Sequence, residues 1–147
     1  IEARDKMLLA SFYAGMAFTR AYVGYVHAIA HNLGGMYGIP HGLANAVILP
    51  VVLEEYGSAI YAPLARLADI AGVAGASEAD KAVKFVSEIK AMNARMNIPT
   101  GFAQIQEADI DTIVARAMKE AHPLYPTPVI FDKARLSAIV RKLKIDA

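Results

Sequence analysis

Three of the four histidines fall within fifteen residues: His27, His31 and His41. His27 and His31 are four positions apart, which on a helix puts both imidazoles on one face. His41 follows a Gly34-Gly35 turn and opens the next helical pattern, so all three rings can converge. Two neutral imidazoles with a carboxylate make an open site for a divalent transition metal. Because the chain has no cysteine, any metal must be held by nitrogen and oxygen, a donor set that suits iron, zinc or manganese. The spacing alone is a weak motif, since H-x-x-x-H without the second glutamate of a zinc protease equally describes core histidines bonded to backbone carbonyls. Cost favours the metal. Imidazoles set among so much Ala, Val, Ile and Leu each need a partner, and coordination supplies one.

Position suggests a division of roles. His41 stands at a helix start, where the positive end of the dipole favours the neutral, ligating imidazole, and it reads as a metal ligand. His31 is expected near a helix C-terminus, where the protonated form is favoured, and reads as a proton carrier. His27, one turn earlier, reads as the second metal ligand.

The elements that must carry these residues are helices. Residues 7–18 are apolar all round and predict a core helix, residues 21–32 a second helix ending at Gly34-Gly35, and residues 41–56 a third, kinked at Pro50. Between Lys6 and Glu54 the only formal charge is Arg20, expected to pair with a carboxylate or a helix end. After Glu54 the pattern becomes amphipathic. Residues 58–71 and 77–96 read as outer helices, the latter opened by Ser77 with Asp80, and residues 110–121 and 136–143 as two more, the last started by Asp132. The three prolines of residues 122–128 require an extended or turned segment, and His122 reads as a surface or loop residue. No segment alternates at period two, so the expected class is all-α: a helical bundle.

At 147 residues with 56% hydrophobic side chains the chain can bury a real core. Its 15 basic and 14 acidic residues leave a net charge of +1 with no basic patch, so no nucleic-acid partner is expected. The glycines and Pro40 interrupt the apolar stretch, so no membrane span is expected either. The lack of cysteine and of a signal-peptide pattern fits a cytoplasmic protein. Gly34-Gly35 and Gly38, followed by Glu54 or Glu55, imitate a dinucleotide fingerprint, but a helix precedes them where that fingerprint needs a strand. The chain starts at Ile1 and not at Met, and is expected to be a fragment.

Longer words are also present: Ala14-Gly15-Met16-Ala17-Phe18, then His27-Ala28-Ile29-Ala30-His31-Asn32-Leu33-Gly34-Gly35, then Ile39-Pro40-His41-Gly42-Leu43-Ala44-Asn45-Ala46-Val47 and Leu49-Pro50. Together they resemble the signature of the iron-containing (group III) alcohol dehydrogenases, densely from about Ala3 to Pro50 and more weakly beyond. The resemblance implies a two-domain enzyme. An amino-terminal α/β half would bind NAD(P), and residues 1–147 would be a single helical metal-binding domain holding Fe2+ or Zn2+ in the cleft. In that family the metal takes one Asp and three His; the two later His fall on His27 and His41. His31 falls near the nicotinamide and Phe18 along the substrate channel. The Asp and the first His belong to an Asp-x-x-x-His helix ahead of Ile1.

The chemistry so implied is oxidation of an alcohol, or reduction of an aldehyde. The metal polarises the oxygen, hydride passes to the nicotinamide, and His31 lies on the proton route. The implied partners are a small alcohol or aldehyde, the missing amino-terminal domain and further copies in a homo-oligomer. A sister enzyme such as a glycerol dehydrogenase or a dehydroquinate synthase, and a stand-alone helical metal-binding domain, are the alternatives.

Overall fold

The computed structural model describes residues 1–146, and its regular elements are helices. Seven α-helices follow one another: α1 (Glu2–Ala21), α2 (Tyr25–Tyr37), α3 (His41–Tyr56), α4 (Tyr61–Ile70), α5 (Glu78–Arg95), α6 (Ile110–Ala121) and α7 (Lys133–Leu143). No strand occurs among the described residues; one isolated bridge pairs Phe102 with Lys144. The all-α bundle expected from the patterning is therefore the observed fold.

The core forms where α2 packs on α3 and α6, and α7 on α6 and α3. Ile29, Leu33, Ile48, Val52, Ile113, Leu136 and Ile139 have no exposed surface, and Tyr25 and Phe131 stack at 4.6 Å between ring centroids. α4 and α5 pair as an outer layer over a smaller cluster of Ile60, Leu64, Ala82 and Val86. Ser77 caps α5 by accepting from the Asp80 amide, and Asp132 caps α7 by accepting from Arg135, as the sequence requires.

α3 runs unbroken through Pro50. Proline has no amide hydrogen, so the Ala46 carbonyl one turn earlier loses its helical donor. Asn93 Nδ2 on α5 supplies the replacement at 2.8 Å, which ties α5 to α3 at the site of the expected kink. The helical run His41–Ile70 is apolar and long enough, by length and composition, to cross a bilayer. Ala44, Val47, Ile48 and Val52 from that run are packed in the protein interior, which accounts for its hydropathy.

Two expectations need correction. Residues 7–18 do form part of a helix, but no residue of α1 is buried, and Met7, Leu8, Phe12, Tyr13 and Met16 are exposed. An all-apolar helix reports that something covers it; it does not say that the covering lies within these residues. Nor does α2 end at Gly34-Gly35. It continues one turn to Gly38, whose left-handed φ of 68° closes the helix as its amide bonds the Gly34 carbonyl. Gly34 lies inside the helix beside the Ile39 carbonyl, which a Cβ there would meet at an ordinary contact distance of 3.4 Å.

Candidate metal centre

The tight turn at Gly38–Pro40 folds the start of α3 back beside α2, and with it the three imidazoles. Ring centroids lie 5.3 Å apart for His27 and His41, 5.2 Å for His31 and His41, and 5.9 Å for His27 and His31. The expected convergence is present. Among the described residues, however, no three His, Asp or Glu side chains group so as to hold a metal on their own.

Each ring has its own surroundings. His27 is half-buried; desolvation, then the neighbouring His41 and His31, push its pKa below the ordinary value, so the neutral form is favoured. His41 is the first residue of α3, as expected, and its Nε2 accepts from Asn45 Nδ2 at 2.8 Å. That bond places the lone pair on Nε2. The same amide nitrogen reaches the His41 carbonyl at 3.1 Å, while Asn45 Oδ1 is buried with no hydrogen-bond partner. A buried amide oxygen without a donor is costly, and it marks this spot as one where a further polar group belongs.

His31 lies in the middle of α2, not near its C-terminus, because the helix is longer than the glycine pair suggests. The helix-end argument for its charge therefore fails. What faces it is a carboxylate: His31 Nδ1 donates to Glu120 Oε1 at 2.7 Å, and Tyr125 Oη donates to the same oxygen at 2.8 Å. Sequence reasoning missed both partners. Glu120 sits at the polar edge of α6, 89 positions from His31, and nothing local marks it.

Phe18 comes back from α1 to place its ring 6.4 Å from that of His27. The chain leaves α1 through Tyr22, which has a left-handed φ of 62°. Beside it a recess of about 450 Å³ opens between the α1–α2 junction, α3 and the 126–128 loop, with Tyr22, Val26, His27, Asn45, Leu49 and Thr127 in its wall. Arg20 occupies the last turn of α1, where a cation suits the helix end.

His122 is not a free surface histidine. It follows α6, half-buried, and its Nε2 shares a hydrogen bond with the Tyr25 hydroxyl, which also accepts from the Phe131 amide at 2.9 Å. A fully buried phenol must find partners, and His122 is one.

Comparison with known proteins gives this helical frame its family. The description "Fe-containing alcohol dehydrogenase family, C-terminal" matches residues 1–144. The chain belongs to the iron-containing alcohol dehydrogenase family. It is 40% identical over 144 residues to alcohol dehydrogenase 4 of Saccharomyces cerevisiae, covering 96% of this chain and 37% of that protein. Against the NADPH-dependent butanol dehydrogenase of Clostridium saccharobutylicum it is 34% identical over 126 residues, covering 82% and 32%. A crystal structure of a 1,3-propanediol oxidoreductase superposes with a TM-score of 0.89 at 36% identity, over 97% of this chain and 38% of that one. The chain thus spans less than two-fifths of the length of these relatives.

Proposed function

We propose that this chain is the metal-holding half of an NAD(P)-dependent alcohol dehydrogenase acting on a small alcohol and its aldehyde. The observation that carries this reading is the convergence of His27, His31 and His41, with His27 in the wall of an open recess, in a chain of the iron-containing family. The donor set fits a divalent metal. His27 is held neutral, a metal at His41 Nε2 would replace the hydrogen bond which that nitrogen accepts from Asn45, and the absence of thiolate favours Fe2+ or Zn2+ over softer ions. The unsatisfied Asn45 Oδ1 next to them is what an incomplete polar site leaves behind.

In this reading His27 and His41 hold the metal from α2 and α3, and the other ligands come from the amino-terminal portion that the relatives carry. When bound, the metal would supply Lewis acidity at the alcohol oxygen and the nicotinamide a hydride acceptor. The chain's own residues do the rest. Phe18 and the walls of the recess orient the alcohol. His31 offers its second ring nitrogen, Nε2, to the proton that leaves the hydroxyl group.

The test is alcohol-dependent formation of NADH or NADPH by the enzyme that carries this chain. Activity should disappear on chelation and return on adding Fe2+ or Zn2+. Turnover that is unaffected by thorough chelation contradicts the proposal.

A further inference from the structure

His31 is gripped from another helix. Its Nδ1 lies 2.7 Å from Glu120 Oε1 at the end of α6, and Tyr125, in the segment after α6, donates to the same oxygen at 2.8 Å. A carboxylate oxygen only accepts hydrogen bonds, so the proton between His31 and Glu120 sits on Nδ1, and in the neutral ring it is Nε2 that carries the lone pair. Nε2 makes no hydrogen bond within the described residues. Free imidazole exchanges readily between its two tautomers, and the hydrogen bond made by one nitrogen decides which is held.

The contact is too exposed to act mainly as a stabilising ion pair: the side chains of His31 and Glu120 keep 45% and 28% of their surface. Exposed pairs contribute little to stability, so what this one supplies is geometry. The ring of His31 lies 15° from parallel with that of His41, at 5.2 Å. Tyr125 restricts Glu120 in turn, and its hydroxyl stays a neutral donor because burial, then Glu120 itself, push its pKa up.

We propose that Glu120, steadied by Tyr125, is the positioning residue that fixes the tautomer and ring plane of His31, so that Nε2 is the nitrogen offered to the cleft. The inference rests on the reading of His31 as the proton-carrying residue of a metal-dependent alcohol dehydrogenase. It assigns a role to a carboxylate outside the metal's own ligands.

The test uses the zinc-loaded enzyme with 15N-labelled histidine side chains, in the wild type and in Glu120→Ala, Glu120→Gln and Tyr125→Phe. In the wild type, NMR should place the His31 proton on Nδ1. Glu120→Ala should mix the two tautomers and lower kcat on the order of tenfold or more, with bound metal and the KM for alcohol unchanged. Glu120→Gln keeps a carbonyl acceptor, and should restore the tautomer and most of kcat. Tyr125→Phe should fall between. A wild-type proton on Nε2, or a Glu120→Ala enzyme that keeps both tautomer and kcat, overturns the proposal. So does loss of metal from both Glu120 variants, which would make the residue structural. A wild-type enzyme with neither bound metal nor alcohol oxidation would instead sink the proposed function, while the tautomer readout still decides the role of Glu120.

Discussion

His27 on α2 and His41 on α3 hold their ring centroids 5.3 Å apart, although a left-handed glycine and a proline separate the two helices that carry them. Gly38 closes α2, Pro40 precedes α3, and the reversal between them is what turns a pair of sequence positions into a pair of neighbouring donors. The buried faces of α2 and α3 lock that reversal, because Ile29, Leu33 and Ile48 lie without exposure beneath it.

The apolar surface of α1 has a measurable consequence. Met7, Leu8, Phe12, Tyr13 and Met16 are all exposed on one helix with no buried residue. The 147-residue chain on its own should bind a hydrophobic dye and self-associate, and replacing Phe12 and Met16 by serine should weaken both. Light scattering showing a strict monomer at high concentration, with no dye binding, would contradict this.

Tyr25 and His122 provide a test within the core. Tyr25→Phe preserves the stacking on Phe131 but leaves the Phe131 amide and His122 Nε2 without the hydroxyl. Unfolding in urea should show a loss of about 1–3 kcal/mol. An unchanged midpoint would mean that neither group depends on the hydroxyl.

Much of this arrangement was legible in the sequence. Helix starts at Ser77 and Asp132 could be read because a capping side chain must stand at a fixed distance from the amide it serves. The convergence of His27, His31 and His41 could be read because two share a helix face and the third follows a glycine turn. Glu120 and Tyr125 could not, since their approach to His31 depends on how α6 packs against α2, and polar residues at a helix edge carry no mark of their partner. The extent of α2 is not legible in its glycine pair, which normally signals an end, whereas here the helix runs on through Gly34 and Gly35 and Gly38 makes the cap. The exposure of α1 was invisible to periodicity, which detects that a helix needs a partner and not where that partner lies.

Acid sensitivity should come through Glu55. Arg135 donates to its carboxylate at 2.7 Å, and with help from Lys142 holds its pKa below the ordinary value of 4.5. A depressed folded pKa contributes stability that is present above the unfolded value and is lost as the pH falls through the folded one. The urea midpoint should therefore fall as the pH drops below about 4.5, and Glu55→Gln should flatten that part of the profile. A variant with the same acid slope as the wild type would assign the effect elsewhere.

The central claim is that His27 and His41 hold the metal while His31 works beside it. Metal analysis of the purified enzyme that carries this chain, with each histidine changed to alanine, tests this most directly. His27→Ala and His41→Ala should each lose bound metal with helix content by circular dichroism nearly unchanged, since neither ring is part of the buried core. His31→Ala should keep near-stoichiometric metal and lose turnover. Full metal content in both His27→Ala and His41→Ala, or an emptied site in His31→Ala, would contradict the account.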